Sequence, residues 1–208
     1  MPSSIVLDSA RDVIPGWRRS LRMLLGVLLL LGGCAGSSPP PASVRLPADA
    51  VEGAGDPTRA AIISTAYNLG NPSTLAGNPA EAARTIANYE YLTVEIPTGP
   101  RWVGFSPLVG VELRRGLQEV RNVVGIAAEA PAQPVVDALY GASRALRAGD
   151  AAAAGRFLSS PLFPAGGQAT LARLANLPRL PQASFAASLA ANEMNRQDQG
   201  GRPGIWPQ

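Results

Sequence analysis

The stretch "GDPTRAAIISTAY", Gly55 to Tyr67, returns 22 residues later as "GNPAEAARTIANY", Gly77 to Tyr89, with Gly, Asp or Asn, Pro, Ala-Ala and Tyr in matching places. Each copy carries the start signal of a helix. Asp56 and Asn78 are short polar side chains that accept hydrogen bonds from the first free backbone N–H groups. Pro57 and Pro79 follow at the first helical position, where a missing N–H has no partner to lose. Glu81 stands in the place of a capping-box acid, three residues after Asn78. A third "GNP", Gly70 to Pro72, closes the first helix and turns the chain. A period of 22 is short for a helical-hairpin repeat and two copies do not make a solenoid, so similar caps in an Ala-rich chain explain the likeness better than a duplication.

The same helical grammar continues outward. "YLTVEI", Tyr91 to Ile96, alternates like a strand but equally suits the last turns of the second helix, and Pro97, Gly99 and Pro100 then call for a loop. From Ser106-Pro107 to about Ala127, Val109, Leu113, Leu117, Val120 and Val124 share one face, while Glu112, Arg115, Glu119 and Arg121 lie largely elsewhere. Gly110 and Gly116 weaken this longest amphipathic helix or permit close packing on it. Further helices are expected over Gln133 to about Ala148, Ala151 to Leu158, Gln168 to Leu177, and Pro181 to Arg196 with Phe185 and Leu189 inward. "RAGDAAAAG" joins the first two, with Gly149 ending one helix and Asp150 capping the next. The expected fold is all-α: a single Ala-rich, irregular bundle of about five to seven helices over residues 55–196, followed by a polar Gly/Pro-rich tail over 197–208 that stays mobile unless Trp206 docks.

Composition agrees and excludes much chemistry. Aromatic residues are only 5% of the chain, too few for a typical sandwich or barrel. The chain has no His, and all 18 of its Lys-plus-Arg residues are Arg. Without His there is no Ser-His-Asp or Cys-His triad and no HExxH zinc site, and without Lys there is no Walker A loop, Schiff base or Ser-Lys dyad. One Cys permits neither an intrachain disulfide nor a CxxC site. From Cys34 onward 14 Arg face 13 acidic residues, so no basic tract points to nucleic acid. No cofactor and no metal are expected.

The single Cys sits in "MLLGVLLLLGGCAGSS", Met23 to Ser38. Arg18, Arg19 and Arg22 precede an apolar run from Met23 to Gly33 that would rise only about 16 Å as a helix, half the hydrocarbon thickness of a bilayer. A positive region, a short apolar run and small residues make a secretory signal over residues 1–33. Its end, Leu31-Gly32-Gly33-Cys34, resembles the lipobox of bacterial lipoproteins. The resemblance implies cleavage between Gly33 and Cys34 and acyl chains on Cys34 that attach the protein to a membrane. One chain anchors marginally, whereas two or three, at about 0.8 kcal/mol per buried methylene, hold firmly. Ala35 after the Cys resembles the pattern of lipoproteins passed to the outer membrane in Gram-negative bacteria, which implies a cell-envelope location on its periplasmic face. "SSPPPAS" within residues 34–54 reads as an extended tether.

No catalytic residue is assigned. Glu90 and Glu95 invite comparison with a carboxylate-dependent cell-wall hydrolase, but the expectation is two solvated surface acids. The loop "TGPRWVGFSP" gathers Arg101, Trp102 and Phe105, residue types that anchor interfaces and the first choice for a protein partner if exposed. The competing reading, that Trp102 and Phe105 plug the end of the bundle, is favoured in so aromatic-poor a chain. Arg114, Arg115 and Arg121, interleaved with Glu112 and Glu119, read as a salt-bridged helix face. The leading expectation is a non-enzymatic envelope module that binds or assembles with a protein partner.

Overall fold

The computed structural model describes residues 43–51 and 55–200, and they are all-α. The signal segment, the Gly33/Cys34 cleavage and lipid site and residues 201–208 lie outside the described residues. Seven α-helices are seen among the described residues: α1 Pro57–Gly70, α2 Pro79–Thr98, α3 Pro107–Val124, α4 Ala132–Arg147, α5 Ala151–Phe157, α6 Gly167–Ala175 and α7 Pro181–Gly200. None is long and apolar enough to cross a membrane.

The caps work as their sequence demands. Asp56 accepts from the N–H groups of Thr58 and Arg59, Asn78 from Glu81 N at 3.2 Å and Asp150 from Ala153 N at 2.7 Å. Glu81 does not complete a capping box. Its carboxylate accepts instead from Asn68 Nδ2 of α1 at 2.8 Å, while Asn78 N–H is satisfied by the Leu75 carbonyl, so a local cap signal is spent on an interhelical bond. Gly125 ends α3 in the left-handed region at φ 83°, where a side chain would be strained.

The ambiguous Tyr91–Ile96 stretch is helix, because α2 runs through to Thr98 and carries Pro97 in its last turn, with Gly99 N–H closing on the Glu95 carbonyl at 2.7 Å. α2 is the axis of the bundle. From Ala82 to Thr93 every residue except Arg84 is buried, and α1, α3, α4 and α6 all pack on it. Small side chains make this possible: Ala82, Ala83 and Ala87 let neighbours approach, and Tyr89, Leu92 and Ile86 fill what remains.

The outer layer departs from expectation in three places. Phe185 is exposed on α7, and Ala183, Ala186, Ala187, Ala190 and Met194 face inward instead. α7 lies close to α3 here: a Cβ added at Gly116 would collide with the Tyr89 hydroxyl of α2 and lie 2.8 Å from Ala183 Cα, so small residues line the seam and Phe185 falls on the outer face of α7. The C-terminal helix also runs past Arg196 to Gly200, held by the Arg59–Asp198 pair to α1 and by Arg196 on the Gly104 carbonyl at 2.9 Å. Thirdly, residues 43–51, expected to be tether, lie against the bundle. Val44 and Ala50 are buried, Gln133 exchanges hydrogen bonds with the Arg45 backbone, Arg84 donates to the Ala50 carbonyl at 2.7 Å and Arg144 pairs with Asp49. Two apolar groups and four polar contacts offset the ordering of a short segment that composition alone marks as linker.

Two substitutions test the seam. Gly116→Ala should lower the urea-derived stability by about 1–3 kcal/mol through overpacking. Gly70→Ala, whose Cβ would meet nothing within 4 Å, should be neutral or slightly stabilising. Equal effects would show that α3 and α7 are not in close contact.

Candidate functional site

Polar side chains of α2 reach α1, α3 and α4 at mid-bundle. Thr58 and Tyr91 share a hydroxyl hydrogen bond of 2.6 Å, Asn68 Nδ2 donates to Thr85 at 2.9 Å, Tyr140 donates to Asn88, and Tyr89 donates to the Leu113 carbonyl at 3.1 Å. At the centre stands Glu90, which is 0% exposed. Its two oxygens accept from Arg121 Nε at 2.9 Å and Arg121 Nη2 at 2.7 Å, and Arg121 Nη1 donates to the Ala128 carbonyl at 2.6 Å. One guanidinium thus ties α2 and α3 to the loop entering α4. The expectation of a solvated Glu90 is wrong, and so is the placing of Arg121 and Glu112 on an outer helix face, since both are buried. The alternation of charges along α3 could not reveal that a carboxylate 31 positions earlier would meet Arg121.

Burial pushes the Glu90 carboxyl above its ordinary range, while Arg121 pulls it back. A raised, buried carboxyl is what a hydrolytic acid needs, but this one has both oxygens bonded to Arg121. It lines neither of the two clefts described below. Glu95 is half-buried and accepts from the Trp102 indole at 3.3 Å.

The loop after α2 forms the other polar and aromatic cluster. Trp102 and Phe105 are buried, 4% and 8% exposed, and meet edge to face with ring centroids 5.0 Å apart. They plug this end of the bundle. Arg101 stays exposed, with its Cζ 5.3 Å from the Trp102 ring centroid, and pairs with Asp56. The expected contact trio is therefore brought together in space, but only Arg101 of the three offers its side chain to solvent. The exposed apolar groups are the residues between and after them: Val103 at 84%, with Leu108 and Val111 on the first turns of α3. Beside them opens a cleft of about 430 Å³ walled by Ile96, Pro97, Trp102, Phe105, Gly110 and Arg114. Arg114 belongs to this cleft, whereas Arg115 pairs with Glu112 at 3.0 Å. A second cleft, of about 380 Å³, lies between the end of α1 and the start of α7, lined by Leu69, Leu180 and Phe185 among others. Neither cleft is lined by a carboxylate. Among the described residues no three acidic side chains converge to hold a metal ion. The chain matches no protein-family model, no curated protein and no solved structure.

Arg121→Leu leaves the buried Glu90 without its partner and should cost about 3–5 kcal/mol by urea denaturation. The double variant Glu90→Leu/Arg121→Leu should recover most of that loss, and failure to recover would mean that Arg121 acts mainly through the α3–α4 loop carbonyls.

Asp56 is held below the usual carboxylate range, first by Arg101, against an opposing effect of burial, with smaller contributions from the N–H groups of Arg59 and Thr58. A lowered folded-state pKa stabilises above the unfolded value and loses that stability as pH falls. Asp56→Asn keeps the cap acceptor without the charge. Its deficit relative to wild type should be present at neutral pH and vanish as pH drops below about 4, measured by denaturation across pH.

Proposed function

We propose that this chain is a lipid-anchored protein of the bacterial cell envelope, attached through acyl chains on Cys34 after cleavage at Gly33. Its helical domain acts there as a non-enzymatic binding or assembly module for another envelope protein. In a Gram-negative cell it would sit on the periplasmic face of the outer membrane. The lipobox-like end of the signal supports the address. The observation that carries the binding reading is the cluster of exposed Val103, Leu108 and Val111 around the Trp102 end of the bundle, apolar side chains that a solitary module has no folding reason to present together. Arg101, fixed over Trp102 by its pair with Asp56, supplies a charged rim to that apolar centre.

The docked segment 43–51 adds geometry. From Cys34 to Ser43 the chain spans nine residues, at most about 30 Å, so a lipidated Cys34 would keep the bundle close to its membrane rather than at the end of a long leash.

The test is the mass of the N-terminal peptide recovered from the membrane fraction, with Cys34→Ala as comparison. An acylated Cys34 in wild type and a soluble or unprocessed variant is the expected result. A mature end beyond Cys34, or a free Cys34 thiol, overturns the anchor. A photo-cross-linker at Leu108 should trap a partner that Val103→Asp releases, while Val103→Asp itself shifts stability by no more than about 0.5 kcal/mol. An undiminished cross-link would remove this surface from the proposal.

A further inference from the structure

We propose that the cleft beside Trp102 is the docking site of the chain's own C-terminal residues, with Ile205 and Trp206 as the groups that fill it. The inference goes beyond the envelope reading and does not depend on it; the segment and a partner would share only Val103, since Leu108 and Val111 do not line the cleft.

The path of α7 brings the C-terminal turns of that helix to the loop beside this cleft. Glu193 accepts from Ser106 N–H at 2.7 Å, and Arg196 donates to the Gly104 carbonyl at 2.9 Å. Both bonds fall on the loop whose Val103, Phe105 and Ser106 form one wall of the cleft. Gly200, where α7 ends, is one turn beyond Arg196. Trp206 follows six residues later, a reach of at most about 20 Å. The second cleft lies at Leu180 to Ser188, the opposite end of α7, and Phe185 is 15 residues or about 22 Å back along the helix from Gly200. Of these two clefts, the one at Trp102 is within easy reach.

The chemistry matches as well. After Met194 the sequence is polar or Gly/Pro until Ile205-Trp206, the only large apolar side chains left in the chain. Gly201, Pro203 and Gly204 between them and α7 are the residue types that reverse a chain direction. The cleft offers what an indole requires: apolar walls from Ile96 and Pro97, aromatic neighbours in Trp102 and Phe105, and the Arg114 guanidinium at its edge for contact with a ring face. Gly110 keeps the floor open, since a Cβ there would lie 3.1 Å from Pro97 Cγ. A filled cleft would also cover part of Val103, which is otherwise the most exposed large apolar residue described.

The test is fluorine NMR of the full chain labelled with 5-fluorotryptophan, the Trp206 resonance being assigned by its loss in Trp206→Phe. The expected result is a Trp206 signal displaced from free fluorotryptophan and shielded from solvent, which loses most of that displacement in Val103→Asp. Arg114→Gln, on a surface helix turn, provides a second cleft variant should Val103→Asp disturb the loop. A Trp206 signal at the solvent-exposed position that neither variant moves overturns the proposal. So does a displaced signal that returns to the free position on dilution, which would place the segment on a second copy of the chain.

Discussion

Glu90 and Arg121 form the interaction on which the rest of the bundle is arranged. Two ionised side chains removed from water would be strongly unfavourable alone, and here each meets the other through two parallel hydrogen bonds while a third joins Arg121 to the Ala128 carbonyl. That geometry fixes the rotation of α2, the register of α3 against it and the path of the chain into α4. An apolar pair of the same volume would hold the helices together but would allow them to slide. Around it the hydroxyls and amides of Thr85, Asn88, Tyr89 and Tyr91 add directional contacts to α1, α3 and α4. In a core about one third of whose buried apolar residues are Ala, which packs closely but specifies little, these polar contacts single out one arrangement.

The two ends of the chain's described part use the same economy of small residues. α7 lies close on α3 because Gly116 and Ala183 face each other, and Phe185 falls on the outer face of α7. At the Trp102 end, buried aromatics close the bundle while Val103, Leu108 and Val111 remain outside. The buried ring pair positions the exposed apolar groups, so rigidity of the loop and availability of the surface arise from one cluster. The docked strap at residues 43–51 follows α4 from Gln133 to Arg144 and meets Arg84 of α2.

Local chemistry made the helices legible. An Asx-Pro start, a Gly stop and a run of Ala determine backbone geometry within a few residues, so the seven segments, the Asp150 cap and the Gly149 termination can be read in one dimension, whereas the third helix stops at Gly125 and not at about Ala127. The apolar face of α3 was equally readable, since a 3.6-residue period needs no partner to be seen. The candidate contact loop was legible as a group, but which of its side chains faces water was not, because the folding of the loop back on the end of α2 brings Phe105 and Glu95 against Trp102.

What the sequence determined by itself was therefore the helical class, the positions of most helix ends and the catalytic chemistries that a chain without His or Lys cannot perform. Only the tertiary structure decided that Glu90 is buried and paired, that Glu81 serves α1 instead of its own cap, that Phe185 points out and that residues 43–51 are held down. The physical reason is common to all four. Each depends on a group 13 or more residues away along the chain, or on the distance between two helix axes, and neither quantity is written in local propensity or period.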